Sequence, residues 1–222
     1  MSIPKLAGGG ACLAIGLLLA GCADTAKQEE STEETSPTEE TVTEDIPIPK
    51  DVKPGNPVVV METTMGKIVL ELYAEEAPKS VENFLTYVED GFYDGTIFHR
   101  VVPRFVIQGG GFTPDMVEKP TRDAIENEAA NGLKNVRGSL AMARTSDPHS
   151  ASAQFYINTR DNAALDYRGA NPRDYGYAVF GRVAGGMEVV DQIEAVPTTT
   201  KGPYEGVPVE PVVIRSARLK TE

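Results

Sequence analysis

The chain has 222 residues, no tryptophan, two histidines, two cysteines and a formal net charge of −12, and this length suits one ordinary globular domain with appendages. The excess of acid excludes the basic surface that binds nucleic acid, so we expect no nucleic-acid partner. Both cysteines, Cys12 and Cys22, lie in the first tenth of the chain. No disulfide can therefore form within the remainder, which must fold on its hydrophobic core.

Residues 1–21 have the pattern of a secretory signal peptide. Lys5 precedes an apolar, glycine-containing run from Leu6 to Ala20, which is too short to cross a bilayer comfortably. An ordinary N-terminal anchor helix is the alternative.

The end of this run, Leu19-Ala20-Gly21-Cys22, resembles the lipobox of bacterial lipoproteins. That resemblance implies cleavage before Cys22 and acylation of this residue with a diacylglycerol and a further chain such as palmitate. Several acyl chains would attach the protein stably to a membrane, on the extracytoplasmic side of the cell envelope. The alternatives are cleavage and release, or a buried apolar cysteine.

Residues 22–53 are predicted to form a disordered tether after the signal. Between residues 23 and 53 there are ten acidic and three basic residues, a net charge of −7, and few apolar residues that could repay the cost of ordering. A flexible segment of this length reaches on the order of 30 Å. We expect it to hold the domain clear of the membrane; binding of metal ions by its acids is the alternative.

The folded domain is predicted to occupy residues 54–222. Two strand-like runs, 58–63 and 66–72, are joined by a short turn. A helix begins near Pro78, where the missing N–H of proline is harmless, and ends at Gly91. Its buried face is predicted to carry Val81, Phe84, Leu85 and Val88.

Residues 98–111, with the sequence FHRVVPRFVIQGGG, favour a strand that three glycines break at its end. Arg100 and Gln108 interrupt the apolar residues of this strand and have no obvious structural purpose. Both residues are therefore candidates for a functional site.

The rest of the domain is predicted to be strand-rich. The segment 112–136 is predicted to be irregular, with a short strand near Ile125. A separate polar loop, residues 145–152, carries His149. Further strands are predicted at 139–143, 153–158, 177–183 and 212–219, and a second helix at 187–193. About eight short strands and two helices without regular alternation predict a mainly β fold, a closed eight-stranded antiparallel β-barrel capped by two α-helices.

Five separated motifs in this domain resemble the cyclophilins, which are peptidyl-prolyl cis-trans isomerases, and are most similar to bacterial single-domain members. The motifs are Phe98-His99-Arg100, Phe105-Val106-Ile107-Gln108-Gly109-Gly110, Leu140-Ala141-Met142-Ala143-Arg144, Ala153-Gln154-Phe155-Tyr156-Ile157-Asn158 and Tyr177-Ala178-Val179-Phe180-Gly181. The resemblance implies a monomeric enzyme that rotates X–Pro bonds in unfolded or flexible protein segments outside the cytoplasmic membrane and so assists folding. No cofactor is implied, and two histidines without a nearby cysteine do not predict a metal site.

Arg100 is the predicted catalytic residue. Rotation about a peptide bond meets a barrier of about 18–20 kcal/mol because the amide is conjugated. As the bond twists, the imide nitrogen gains a lone pair, and a hydrogen bond to it exists only in the twisted state. The Arg100 guanidinium offers several donors in a rigid plane and is always charged. The alternative is an arginine that forms a surface ion pair.

The resemblance also implies a set of substrate-binding residues. Phe105, Tyr156 and Leu165 match the proline pocket with Val106 beside them, the Gln108 and Gln154 amides match groups that bind the peptide, and Ala143 and Arg144 match positions whose backbone holds the substrate chain. His99 and Tyr177 complete the set; because the reaction needs no proton transfer, His99 is expected to contact substrate or to be structural. The alternatives are plain core packing for the apolar residues and bonding to loop backbone for the two amides.

Three positions depart from the cyclophilin pattern. Ala164 stands where some members have a tryptophan that contributes to binding the inhibitor cyclosporin, so we expect weak cyclosporin binding. Tyr156 replaces a common phenylalanine, and its hydroxyl needs a partner. Tyr177 stands where some members have histidine. Two other functions remain open at this point, a proline-peptide binding module or chaperone with little turnover, and a small-ligand carrier built on a closed barrel.

Overall fold

The computed structural model describes residues 48–220. The predicted signal peptide, Cys22 and most of the predicted tether lie outside these residues. Within residues 48–220 the chain forms ten β-strands, two α-helices and two short 3-10 helices, so the mainly β prediction with two helices is confirmed. Neither α-helix of this part of the chain has the length and apolar character needed to cross a bilayer.

The helices lie where the sequence pattern predicted them, at α1 (Pro78–Glu89) and α2 (Met187–Glu194). The strands are β1 (Val58–Thr63), β2 (Gly66–Leu72), β3 (Arg100–Val102), β4 (Val106–Gly109), β5 (Ser139–Met142), β6 (Phe155–Asn158), β7 (Val179–Gly185), β8 (Thr198–Lys201), β9 (Tyr204–Pro208) and β10 (Ile214–Lys220).

Eight strands form one antiparallel sheet in the order β10-β1-β2-β7-β5-β6-β4-β3, and β8 and β9 form a separate hairpin. The sheet is an open, curled half-barrel, so the prediction of a closed barrel is wrong. Its two edge strands, β10 and β3, do not pair with each other. The residues that precede them form one isolated bridge, between Ile97 and Val213. Because this bridge is antiparallel, β3 and β10 lead away from it in opposite directions along the ladder, so the two strands do not lie opposite each other.

The β8–β9 hairpin lies against the β3 edge that the main sheet leaves unpaired. At Gly206 in β9, an added Cβ atom would come within 2.8 Å of the Val101 carbonyl oxygen in β3. This close approach requires glycine, and it places the loop before β9 beside the residues that precede β3.

The 98–111 segment is a hairpin of two strands, so the prediction of one strand is wrong. The turn between β3 and β4 spans Pro103, Arg104 and Phe105, with Arg104 in the left-handed region at φ 58°. A three-residue hairpin loop with one left-handed residue is a common connection. The hairpin sets Arg100 directly opposite Gln108.

The register of this sheet separates two faces. Val101, Ile107, Ile157 and Leu140 are cross-strand neighbours in β3, β4, β6 and β5, and all four are buried in the main core. Because side chains alternate along a strand, the next residue of each strand points to the opposite, outer face. The main core also holds the aromatic rings of Phe84, Tyr93, Phe98, Phe155 and Phe180.

Helix α1 is capped from outside its own sequence. Its N-cap residue, Ala77, provides no side-chain hydrogen bond. Instead the Glu128 carboxylate accepts hydrogen bonds from the backbone N–H groups of Lys79 and Ser80 and from the Ser80 hydroxyl, at 3.0, 2.8 and 2.7 Å. The long irregular segment before β5 is thereby attached to the helix N-terminus, where a negative charge is favourable.

Candidate active site

One row of side chains on the outer face carries three of the predicted site residues. Arg100 pairs with Gln108, Gln108 with Tyr156, and Tyr156 with Ala141 across β3, β4, β6 and β5. Cross-strand neighbours share a face of the sheet. Three separate strands, β3, β4 and β6, therefore bring the predicted catalytic arginine, a substrate-binding amide and a pocket aromatic ring into one line.

A first cavity of about 270 Å³ lies over this row. Its apolar lining forms a small hydrophobic cluster separate from the main core. Nine of the predicted site residues line it: Arg100, Phe105, Val106, Gln108, Ala143, Arg144, Tyr156, Leu165 and Tyr177. The structure thus brings together residues that span nearly 80 positions of the sequence, and the apolar ones pack with one another rather than in the main core.

The Arg100 side chain lies at the edge of the first cavity. Its guanidinium carbon is 6.0 Å from the centroid of the Phe105 ring. Among residues 48–220 it forms no salt bridge, although ten such pairs occur in this part of the chain. The alternative of a surface ion pair therefore finds no support among residues 48–220, and within this part of the chain the donors of the side chain are available to a ligand in the cavity.

The two predicted amides bind each other rather than loop backbone. Gln108 Nε2 donates to Gln154 Oε1 at 3.0 Å, and Gln154 Nε2 donates to Glu118 Oε1 at 3.3 Å. The Gln154 side chain lies directly on the backbone of Gly111, where a Cβ atom would be 2.6 Å from it. The glycine run after β4 thus makes room for the amide that stands beside Gln108.

The Tyr156 hydroxyl reaches a buried polar network beneath the first cavity. It donates to Asn135 Oδ1 at 2.8 Å. The same Oδ1 accepts from Asn158 Nδ2 at 3.2 Å, and Asn135 Nδ2 donates to the Leu165 carbonyl oxygen at 3.1 Å. Burial raises the pKa of the Tyr156 hydroxyl well above its usual value, so the group remains a donor. One network therefore fixes two walls of the cavity.

The Phe105 wall is held at the tip of the β3–β4 hairpin. Its carbonyl oxygen accepts hydrogen bonds from the Thr159 N–H at 3.1 Å and from Asn162 Nδ2 at 2.8 Å. Glu194, the last residue of α2, accepts from the Arg104 N–H at 2.5 Å and from the Thr159 hydroxyl at 2.6 Å. A carboxylate on α2 thus positions the loop that carries the pocket ring.

The opposite rim is formed by Ala143, Arg144 and Tyr177. The Arg144 guanidinium stacks on the Tyr177 ring at 4.4 Å and donates to the carbonyl oxygens of Gly176 and Thr145 at 3.0 and 2.8 Å. The Ala143 N–H already donates to the Gln154 carbonyl oxygen at 2.9 Å. It cannot also hold a substrate chain, so the backbone role predicted for Ala143 is limited to its carbonyl group.

His99 and Gln154 line a second, adjoining cavity of about 490 Å³. Arg100 and Gln108 line both cavities. Burial of the His99 side chain and, to a smaller extent, the Arg100 charge lower its pKa from 6.5 to about 4, against smaller opposing contributions from the Ile97 backbone and the Gln154 side chain. His99 is therefore neutral at physiological pH.

Several residues around these cavities were not predicted. The second cavity is also lined by Phe112, Glu118, Pro203, Tyr204 and Glu205. The β8–β9 hairpin escaped prediction because Thr198–Lys201 is exposed and has no alternating apolar pattern. The Gly202-Pro203 dipeptide is a turn signal that could have indicated it. The buried asparagines and Glu194 carried no comparable signal.

Comparisons with known proteins agree with this geometry. Residues 58–219 match the family model described as cyclophilin type peptidyl-prolyl cis-trans isomerase/CLD. The chain is 58% identical to the peptidyl-prolyl cis-trans isomerase cyp18 of Streptomyces antibioticus over 161 residues, which are 72% of this chain and 97% of that protein. It is 52% identical to peptidyl-prolyl cis-trans isomerase B of Escherichia coli K12 over 162 residues, 73% of this chain and 99% of that protein.

Solved structures with the same fold include a cyclophilin type peptidyl-prolyl cis-trans isomerase of Cryptosporidium parvum. The TM-score is 0.65 at 26% sequence identity, covering 75% of this chain and 99% of the other. A second structure of that protein, determined in the presence of the dipeptide Ala-Pro, gives a TM-score of 0.64 at 26% identity, with 74% and 99% of the two chains covered.

Proposed function

This chain belongs to the cyclophilin-type peptidyl-prolyl cis-trans isomerases, and on that premise we propose that its Arg100 guanidinium is the catalytic group and that its substrates are X–Pro segments of extracytoplasmic proteins. The chain catalyses rotation about X–Pro bonds. The proposal concerns which residues perform this rotation, and where in the cell they do so.

The first cavity suits a pyrrolidine ring. It is apolar on the walls formed by Phe105, Val106, Tyr156 and Leu165, and its charged donors lie at the rims, Arg100 on one side and Arg144 on the other. By analogy with the Cryptosporidium parvum relative crystallised with Ala-Pro, the ring of a substrate proline would occupy this cavity. The imide nitrogen would then lie toward Arg100, since this side chain borders the Phe105 ring.

Arg100 would act by differential binding. In the planar ground state the imide nitrogen has no available lone pair, so the guanidinium gains little from it. In the twisted state the nitrogen becomes an acceptor, and the hydrogen bond lowers the barrier without stabilising the reactant. The single observation that carries the proposal is the Arg100 side chain, unpaired among residues 48–220 and bordering an apolar cavity.

The test is a protease-coupled isomerisation assay on an X–Pro peptide with the Arg100→Ala and Arg100→Lys variants. Loss of a preorganised donor to the transition state costs about 10²–10³-fold in rate, so we expect that loss in kcat/KM for Arg100→Ala. Lysine keeps the positive charge but lacks the planar set of donors of the guanidinium. Arg100→Lys should therefore retain only part of the wild-type kcat/KM. The matched control is Arg215→Ala, since Arg215 is exposed on β10, away from the cavity.

A parallel titration separates catalysis from binding. Peptide affinity of Arg100→Ala should stay within about threefold of wild type, because the apolar walls are intact. Rates of Arg100→Ala equal to those of Arg215→Ala would refute the catalytic assignment. The alternative function is a binding module or chaperone with the same pocket. For such a protein, loss of Arg100 would change neither peptide affinity nor the isomerisation rate.

The extracytoplasmic location is supported by the amino-acid sequence of residues 1–22. The lipobox-like Leu19-Ala20-Gly21-Cys22 follows an apolar run, and an acyl-modified Cys22 would anchor the enzyme to a membrane. Mass spectrometry of the mature N-terminus in the native host should find acylated Cys22, and Cys22→Ser should release the isomerase into the soluble fraction. An unmodified Cys22 in membrane-bound protein would refute this part of the proposal.

A further inference from the structure

The second cavity contains groups that the isomerisation itself does not use. His99, Phe112 and Tyr204 form an aromatic wall, with ring centroids 4.6 Å apart for His99 and Phe112 and 5.2 Å apart for Phe112 and Tyr204. The carboxylates of Glu118 and Glu205 also line the cavity, and both residues are exposed.

His99 presents an unsatisfied polar atom in this wall. The residue is 4% exposed, and its Nδ1 has no hydrogen-bond partner among residues 48–220. It is the one buried side-chain nitrogen or oxygen of this part of the chain in that condition. A buried polar atom without a partner costs free energy, so a ligand donor that gains access to this nitrogen on binding would be stabilised.

The charges of the cavity favour a cationic ligand. Neither Glu118 nor Glu205 forms a salt bridge with any residue between 48 and 220. Glu118 accepts one long hydrogen bond, from Gln154. Arg100 is the only cation among the lining residues. Two carboxylates against one guanidinium leave the cavity with a net negative charge that would repel an acidic side chain.

The aromatic wall adds to this preference. A lysine or arginine head lying against the Tyr204 ring would gain a cation–π contact, and its aliphatic stem would cover the ring of Phe112. An apolar side chain would leave both carboxylates without a counter-charge.

We propose that the second cavity is a subsite for a lysine or arginine side chain of the substrate, within a few residues of the proline. This inference rests on the proposed function, since the shared lining residues Arg100 and Gln108 connect the two cavities. It assigns to the enzyme a substrate class, X–Pro segments flanked by a basic residue.

The experiment compares kcat/KM for three series of X–Pro peptides with identical cores. Lysine, glutamine or glutamate is placed in turn at each of the three positions on either side of the X–Pro pair. Exposed ion pairs are individually weak, so we expect a roughly two- to tenfold preference for lysine over glutamate at one position. The preference should shrink at high salt, which screens exposed charges.

Variants locate the preference in the cavity. Glu118→Gln and Glu205→Gln should each reduce it, and the double variant should abolish it. Glu188→Gln, which neutralises an exposed carboxylate on α2 away from the cavity, should leave it unchanged. An NMR shift of the His99 imidazole nitrogens on binding of the lysine peptide, and not of the glutamate peptide, would place the side chain in this cavity.

The proposal and the proposed function fail in different ways. Equal turnover of all three peptide series by an enzyme that still depends on Arg100 would overturn the basic subsite alone. A lysine preference that persists in the Glu118→Gln, Glu205→Gln double variant would overturn it as well. Turnover of the neutral peptide that does not depend on Arg100 would instead refute the catalytic assignment.

Discussion

Removing the Tyr156 hydroxyl tests whether the network beneath the first cavity is structural rather than catalytic. In Tyr156→Phe the hydrogen bond to Asn135 Oδ1, 2.8 Å long, is lost. Asn135 Oδ1 keeps the bond from Asn158 Nδ2, so no buried acceptor is left without a partner. The expected cost is that of one net hydrogen bond, about 1 kcal/mol, or about 2–4 °C in Tm for a domain of this size.

The activity of this variant follows from the same geometry. The aromatic ring stays on β6 and continues to line the cavity, so kcat/KM should stay within about threefold of wild type. In contrast, Asn135→Ala removes the acceptor for Tyr156 and Asn158 and the donor to the Leu165 carbonyl. It leaves the buried Tyr156 hydroxyl without a partner, whereas Asn158 Nδ2 still donates to Ser139 Oγ and the Leu165 carbonyl still accepts from the Tyr177 N–H. It should cost about 1–3 kcal/mol and raise KM.

Urea denaturation combined with the coupled isomerisation assay measures both quantities. A double-mutant cycle of Tyr156→Phe with Asn135→Ala should show a coupling energy of about 1 kcal/mol, because the two residues share one bond. Additive losses would refute the network. So would a loss of activity above about tenfold in Tyr156→Phe, since the hydroxyl would then act on the substrate.

Three further predictions follow from the site. Glu194→Ala removes the hydrogen bonds from the Arg104 N–H and the Thr159 hydroxyl at the hairpin tip, so it should raise KM about three- to tenfold. The control, Glu188→Ala on the same helix, should leave KM unchanged. Equal KM values for the two variants would show that the tip is held without Glu194. Because the folded-state pKa of His99 is lowered from 6.5 to about 4, the unfolded state takes up the proton first, and the free energy of unfolding should fall as the pH drops from about 6.5 to 4. Denaturation at several pH values should show that His99→Gln lacks this contribution, on the order of 3 kcal/mol; parallel profiles of the two proteins would contradict it. Cyclosporin titration should show weak binding to the wild type and at least about tenfold tighter binding to Ala164→Trp, as expected for a large aromatic contact; tight binding to the wild type would refute the role given to Ala164.

The amino-acid sequence predicted the strands and helices correctly where the local hydrophobic pattern determines the local structure. The first two strands and both helices lie at the predicted positions, because their apolar periodicity matches the face that they bury. The two-residue spacing of Gln154 and Tyr156 correctly separated them from Phe155, which lies in the main core.

The predictions failed where structure depends on contacts between distant residues. The apolar pattern of residues 98–111 does not distinguish one strand from a hairpin, and the one local turn signal, Pro103, was not used. Closure of the sheet depends on whether β3 and β10 pair, which their own sequences do not determine. The second cavity requires Tyr204 and Glu205 to lie beside His99, about 100 residues earlier in the chain, and only the β9 approach to β3 brings them together.

The central claim, that Arg100 supports the twisted imide rather than the bound peptide, is tested most directly on the enzyme itself. NMR exchange spectroscopy on a saturating, isotope-labelled X–Pro peptide measures the rate of cis-trans interconversion in the bound state. For Arg100→Ala this bound-state rate should fall by about 10²–10³-fold, while the dissociation constants of the cis and trans forms change by less than about threefold. A bound-state rate equal to that of wild type would contradict the claim.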